Sequence, residues 1–224
     1  MTTVKGLSPV FTPNSKILIL GTLPSQTSRE TNSYYANNGN RFWKVICEYL
    51  GVPVPDTYDK KVLLLQQHNI ALWDLIDTCE IEGSKDSTIK NPKYNDLQSL
   101  LDKTPHIEAV LLNGKTAFEM YEKNFKSFDL PYRLVPSTSS VNATFDKQQW
   151  FEALDLSTYR YEKAVKYYIK LMGTTPLYKT VKTDTGTTYI FDENYGIGRT
   201  CVDIGVRRDL LKEALIKEIE NGNI

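Results

Sequence analysis

Four polar segments of this 224-residue chain hold the side chains that could do chemistry. Ser25 to Asn40 is rich in asparagine and ends in Asn37-Asn38-Gly39-Asn40, just ahead of Phe42 and Trp43. Asp74 closes the apolar run that begins at Ile70, Asn113-Gly114 closes another, and Pro136-Ser137-Thr138-Ser139-Ser140 offers a row of hydroxyls and backbone N–H groups. An amide accepts through its carbonyl and donates through its NH2 at any physiological pH, whereas an ionised carboxylate only accepts. Such groups suit positioning and electrostatic stabilisation more than proton abstraction. Asparagine also forms turns around glycine, the role expected of Asn37 and Asn38.

Other chemistries lack their residues. Cys47, Cys79 and Cys201 lie far apart without a CxxC pair, and only His68 and His106 could join them, so no metal site is expected. There is no GxGxxG and no GxxxxGK[ST], so no cofactor is expected. The two histidines are read as surface or capping residues, and Lys115 as a solvated lysine.

The elements that must position these groups alternate. Lys16 to Gly21 (KILILG), Ile70 to Leu75 (IALWDL), Ile107 to Leu112 (IEAVLL) and Tyr132 to Val135 read as buried strands. Between them, Phe42, Trp43, Ile46 and Leu50 recur at helical spacing before a glycine stop at Gly51, and helical patterns cover Lys60 to Gln67, Leu97 to Leu101 and Lys115 to Lys123. This order predicts a three-layer α/β/α domain around a mostly parallel sheet of about four strands. Ligands bind such sheets at the carboxyl ends of the strands, where the four polar segments fall. Beyond a helix at Thr158 to Leu171, the pattern becomes a hairpin around Thr183-Asp184-Thr185-Gly186 and a polar helix at Arg207 to Glu220. The expected division is a domain over residues 1–172 and a hairpin-and-helix extension over 173–224.

Composition narrows the class. With 41% hydrophobic and 24% charged residues the chain is an ordinary globular protein. Its 27 basic and 27 acidic residues cancel, so attraction to a polyanion must be local. The amino terminus lacks the apolar run of a signal peptide and no stretch approaches a membrane span, so a cytoplasmic, membrane-free monomer with reduced thiols is expected.

Four motifs, GTLPS (Gly21 to Ser25), YYANNGNRFWKVI (Tyr34 to Ile46), ALWDL (Ala71 to Leu75) and VPSTSSVNA (Val135 to Ala143), resemble in that order the uracil-DNA glycosylase superfamily. NRFWKVI is similar to its mismatch-specific uracil/thymine branch; the whole pattern, with GSKDSTI (Gly83 to Ile89), is more similar to its hypoxanthine-DNA glycosylase branch. The resemblance covers roughly residues 14 to 172 and not the extension.

The resemblance implies an enzyme that extrudes a deaminated base, hypoxanthine or uracil, from DNA and cuts its bond to the sugar. It implies that the base lies on Phe42, with Gly21, Thr22, Tyr35, Asp74 and Ser87 shaping its pocket. Many members carry an acid or amide two residues after the first glycine, where Leu23 stands here; in the hypoxanthine branch the catalytic role falls to an asparagine before the Phe-Trp pair, a position held by Asn40. Asp74 stands where uracil enzymes place an asparagine, and Val135 where many members carry a histidine. As an ionised carboxylate, Asp74 could accept a ring N–H but could not donate to a carbonyl oxygen. Ser25, Pro136, Ser137, Thr138, Ser139 and Ser140 are expected on the phosphates, with Val141 and Asn142 as a wedge into the base stack. Two other readings stay open: a uracil or G:U/T mismatch-specific enzyme, and a non-catalytic nucleic-acid or nucleotide-binding module on the same scaffold.

Overall fold

The computed structural model describes residues 2–83, 85–128, 130–157, 159, 178–183 and 186–191. The chain divides into two compact units, Met1–Leu156 and Ser157–Ile224. No described helix is long and apolar enough to cross a membrane.

At the centre of the first unit lie four strands, β2 (Ile17–Gly21), β3 (Ile70–Asp74), β6 (Ala109–Asn113) and β7 (Tyr132–Val135), in the order β3-β2-β6-β7. All three pairings are parallel. Every residue of β2 is buried, as a central parallel strand covered on both faces requires. These are the four strands expected from the apolar runs, each within one or two residues.

The connections explain how both faces are covered. From β2 the chain passes through α1 (Gln26–Glu30), α2 (Phe42–Leu50) and α3 (Tyr58–Gln67) to β3 on one side. From β3 it passes through α4 (Leu97–Lys103) to β6 on the other side, then through α5 (Lys115–Asn124) to β7. Right-handed crossovers that run in opposite directions put their helices on opposite faces. Leu18, Leu20, Ala71, Val110 and Leu112 accordingly form one core with Leu97, Leu100, Ala117 and Tyr121 of α4 and α5. The alternate residues Ile17, Ile19, Leu72 and Leu111 are equally buried toward the other layer. Gly51 ends α2 in the left-handed conformation, at φ 69°, as its place after Leu50 predicts.

Three features were not expected. The segment after Asp74, in which no strand was expected, contains β4 (Ile76–Ile81) and β5 (Lys90–Tyr94), which join β1 (Thr2–Lys5) in an antiparallel sheet of order β1-β4-β5. A sixth helix, α6 (Lys147–Leu154), follows the hydroxyl-rich loop. The long polar stretch contains the one-turn helix α1. In the second unit, β8 (Tyr178–Thr183) and β9 (Gly186–Phe191) form the expected antiparallel hairpin. The helices expected at 158–171 and 207–220 lie outside the described residues. Cys47 and Cys79 are free, buried thiols.

Trp150 of α6 joins the fold to its loops. Its ring is fully buried, and its indole N–H donates to the carbonyl of Pro136 at 2.8 Å. Trp150→Phe keeps the aromatic filler and leaves that carbonyl without its donor, so it should lower unfolding free energy by roughly 1–3 kcal/mol. Urea denaturation is the measurement, with an unchanged m-value showing that the denatured state is the same.

Candidate functional site

Parallel pairing in register brings the four strand exits level. Gly21 lies beside Asp74 across β2 and β3, and Asn113 beside Val135 across β6 and β7. The contact at Gly21 is intimate, since a Cβ built there would lie 2.3 Å from Asp74 Oδ1 and 3.4 Å from Tyr35 Oη. Only a residue without a side chain lets the Asp74 carboxyl lie across the end of β2.

The Asn-rich loop is built of turns. Asn37 Oδ1 accepts from Gly39 N at 2.9 Å, and the Asn37 carbonyl accepts from Asn40 N at 2.9 Å. The first of these is the turn role expected of Asn37; Asn38 is exposed. Asn40 Oδ1 in turn accepts from Phe42 N at 2.9 Å, meeting one of the unpaired donors at the start of α2. That bond fixes the Asn40 amide, leaves its carbonyl oxygen a second lone pair, and leaves both amide hydrogens available.

Arg41 bolts this loop to the hydroxyl-rich one. Its backbone N–H donates to Thr138 O at 2.9 Å, and its guanidinium donates to Ser139 O at 3.0 Å and Asn142 O at 3.1 Å. The same guanidinium lies 5.1 Å above the Phe145 ring. Gly39 packs against Ser140, where a Cβ would meet that serine's Cβ at 3.0 Å. Asn40 is thereby held beside the 136–142 loop.

Phe42 is fully buried, and the aromatic surface beside Asp74 belongs to Tyr35. The two rings stack with centroids 3.9 Å apart and planes inclined by 18°. Tyr35 has a left-handed backbone, φ 53°, which a bulky side chain adopts only when its surroundings compel it. Here the stack on one side and Asn113 on the other compel it. Asn113 Nδ2 donates to Tyr35 Oη at 2.9 Å and to Thr138 Oγ1 at 3.0 Å, while Asn113 Oδ1 accepts from Thr138 N at 3.0 Å. Trp43 is buried and donates its indole N–H to Tyr34 O at 2.9 Å, a core role.

Asp74 is only 3% exposed, and its Oδ2 is buried without a hydrogen-bond partner. Burial first, and the nearby Asp86 carboxylate second, push its carboxyl up to about 8. Asp86, from the one-turn helix at Asp86–Thr88, is itself raised by burial, against which the buried Thr22 hydroxyl pulls it down. Both effects favour the protonated carboxyl over the acceptor-only carboxylate expected from sequence.

The remaining candidates divide. Thr138 is buried with its hydroxyl on Asn113, and Ser137 Oγ accepts from Ser139 N at 3.3 Å. Pro136 gives its carbonyl to Trp150, and Asn142 closes the loop by donating to Ser137 O at 2.9 Å. Ser25 caps α1 through Ser28 N. Ser139 is half-buried and Ser140 exposed beside Asn40's loop, while Val141 is 89% exposed at the tip. Ser87 is exposed, and its neighbour Asp86 is the residue of that segment that interacts with Asp74. Arg41, Asn113 and Asp86 were not singled out from sequence as site residues. Asn113 carried a signal, since it ends a buried strand one residue before a glycine; Arg41 and Asp86 carried none apart from their neighbours.

An open parallel sheet with polar loops at its carboxyl edge is a ligand-binding α/β domain. The sequence model of the uracil DNA glycosylase superfamily matches residues 8–171, and the chain belongs to that superfamily. A hypoxanthine DNA glycosylase of Methanosarcina acetivorans is 35% identical over 146 residues, covering 65% of this chain and 92% of the relative. One of Methanosarcina barkeri is 32% identical, covering 66% and 96%. A solution NMR structure from Methanosarcina acetivorans, assigned as a uracil DNA glycosylase, superposes with a TM-score of 0.62 at 33% identity, covering 68% of this chain and 96% of that one.

Gly21→Ala puts a methyl group into the space of the Asp74 carboxyl. The substitution should destabilise the wild type by about 1–3 kcal/mol and an Asp74→Ala background by much less. A double-mutant cycle from denaturant unfolding measures the difference, and equal costs in both backgrounds would show that the two residues do not press on each other.

Proposed function

We propose that this protein is a monofunctional DNA glycosylase of base excision repair that flips a deaminated base out of DNA and hydrolyses its bond to the sugar, with hypoxanthine the preferred base. The carrying observation is the convergence of Asn40, Asp74 and the Ser139-Ser140 loop on one sheet edge. The names of the two curated relatives support hypoxanthine over uracil.

The extruded base stacks on the Tyr35–Phe42 column through Tyr35, since Phe42 is covered by that ring. Gly21 and Asp74 meet the base edge, with Thr22 and Asp86 behind them. Asn40 Oδ1, oriented by the Phe42 N–H, accepts from the attacking water, while the carbonyl's partial negative charge faces the positive charge that develops on the sugar. An amide is too weak a base to take the proton early, so the step resembles departure of an anionic base followed by capture of water. Ser139 and Ser140 take phosphate contacts, and Val141, the exposed apolar tip, enters the gap left by the base. We assign no lysine as a Schiff-base nucleophile; Lys115, which follows Asn113-Gly114, pairs with Glu119 in solvent. The product is an abasic site in an unbroken strand.

Buried free thiols at Cys47 and Cys79 fit a reducing cytoplasm, and we take the working form as a monomer whose catalytic domain ends near residue 172. A chain ended after Met172 should remain soluble and keep at least half of its single-turnover excision rate; aggregation would show that the second unit completes the first.

Duplexes carrying one hypoxanthine, xanthine or uracil should break only after alkali, hypoxanthine fastest. The absence of breaks on all three would favour a non-catalytic binding module. Asn40→Ala should lower the single-turnover rate by a factor on the order of 10² with little change in stability. Asn38→Ala, at an exposed position two residues away, is the control and should stay within about twofold of wild type.

A further inference from the structure

The Asp74 carboxyl is placed as few surface-loop acids are. It is enclosed at the end of β3, with Oδ1 against Gly21 and Oδ2 buried without a partner. Its backbone carbonyl accepts from Asn95 Nδ2 at 2.9 Å, so that amide does not serve the side chain. The backbone N–H groups that follow it go elsewhere, Leu75 N to Gly21 O and Ile76 N to Thr22 O. The titratable groups that act on it are Asp86 from the one-turn helix, Tyr34 and Tyr35 from the polar loop, and Tyr58 from α3. All four are acids, and among the described residues no lysine, arginine or histidine pairs with it. A carboxylate in such a place would be a buried charge with neither a counter-ion nor donors, which is strongly unfavourable. The same carboxyl as a neutral acid has one O–H and one carbonyl, side by side.

We propose, building on the glycosylase reading, that Asp74 meets the extruded base as a neutral carboxylic acid, donating its O–H to the base's carbonyl oxygen and accepting the adjacent ring N–H. Hypoxanthine presents that pair as O6 and N1–H, and uracil as O4 and N3–H. The two hydrogen bonds close a ring like that of a carboxylic acid with an amide. As the glycosidic bond breaks, its electron pair leaves with the base and negative charge gathers on the base's carbonyl oxygen. The O–H bond then strengthens, which is where stabilisation accelerates the step. The proton stays on Asp74 throughout. This supplies a donor to the leaving base in a chain whose two histidines, His68 and His106, precede β3 and β6 at the opposite ends of the strands.

The inference also moves the source of selectivity. A neutral acid pairs equally well with the amino group and bare N1 of adenine, so this edge cannot reject the normal parent base. Discrimination must come before it, from the lower cost of extruding a mispaired base.

The test uses wild type, Asp74→Asn and Asp86→Asn as full chains, with single-turnover excision of hypoxanthine measured from pH 6 to 10. Asparagine keeps one donor and one acceptor at every pH, so Asp74→Asn should remain active. The ratio of wild-type to Asp74→Asn rate should fall about tenfold per pH unit once Asp74 ionises. Ionisation of the base itself lowers both rates alike and leaves the ratio unchanged. Asp86→Asn removes a like charge and should move the break to lower pH. A ratio flat from pH 6 to 10, or an Asp74→Asn variant inactive at all pH values, overturns the proposal. Carbon-13 titration of the Asp74 carboxyl in the free wild-type protein checks the protonation state without substrate or mutation. A midpoint above 7 supports it, and a midpoint below 5 overturns it while leaving the glycosylase reading intact. A wild type that excises no base at any pH fails the glycosylase reading instead.

Discussion

The amide of Asn113 is the interaction on which the site depends. Strand ends in a parallel sheet place the loops near one another but give their backbones no ladder to join, so each loop needs partners from its neighbours. Asn113 meets that need with three hydrogen bonds from one amide. One N–H goes to Tyr35, the other to the Thr138 hydroxyl, and its carbonyl receives the Thr138 N–H. Three strand exits are thereby fixed through one planar group. Arg41 adds the second tie, between the Asn40 loop and the carbonyls at 138, 139 and 142. The residues assigned to chemistry hang from these two ties, so the strictest positional demands fall on Asn113 and Arg41.

Such a division also explains the hydroxyl-rich loop. From sequence, five consecutive candidates offered themselves to phosphate. In the fold, Pro136, Ser137 and Thr138 shape the loop from within, and the outward groups are Ser139, Ser140 and the Val141 tip. The phosphate contacts proposed for this loop gain from the arrangement, because its backbone is already held by the fold and need not be ordered on binding. On the proposed reading, a chain with no net charge addresses DNA through a few donors at one edge in place of a basic field.

Most of the fold was legible in the sequence, for a physical reason. Strands buried on both faces read as unbroken apolar runs, so Ile17–Gly21, Ile70–Asp74 and Ala109–Asn113 announced themselves, and the helices between them fixed the parallel order. The β4 and β5 strands did not, because their burial is partial and β5, Lys90–Tyr94, is a mostly exposed edge strand with a proline in it. Helix α6 was hidden by its polar face and by the weak stop at Asp155. At the site, Asn40, Tyr35 and Asp74 were marked by their places in the motifs, and the structure gathers them. Their relations were not readable. That Tyr35 covers Phe42 depends on a left-handed backbone no pattern encodes, and that Asp74 lacks any donor depends on where every neighbouring N–H goes.

Those two features share a consequence for stability. Tyr35 at φ 53° and a buried, unpaired Asp74 each oppose folding, and both lie at the same edge of the sheet. For Asp74 the sign with pH is fixed. Its folded carboxyl holds its proton up to about 8, whereas the unfolded one releases it near its ordinary value of 3.8. Between those values the folded state binds more protons than the unfolded state, so this group's contribution makes the protein less stable as pH rises through the window. A salt bridge or an asparagine at position 74 would remove the penalty. An ion pair would hold the carboxyl ionised and abolish its O–H, and an asparagine would keep a donor but one less acidic than a carboxyl. A buried acid that opposes folding fits the role proposed for Asp74 toward the departing base better than a role in the resting fold.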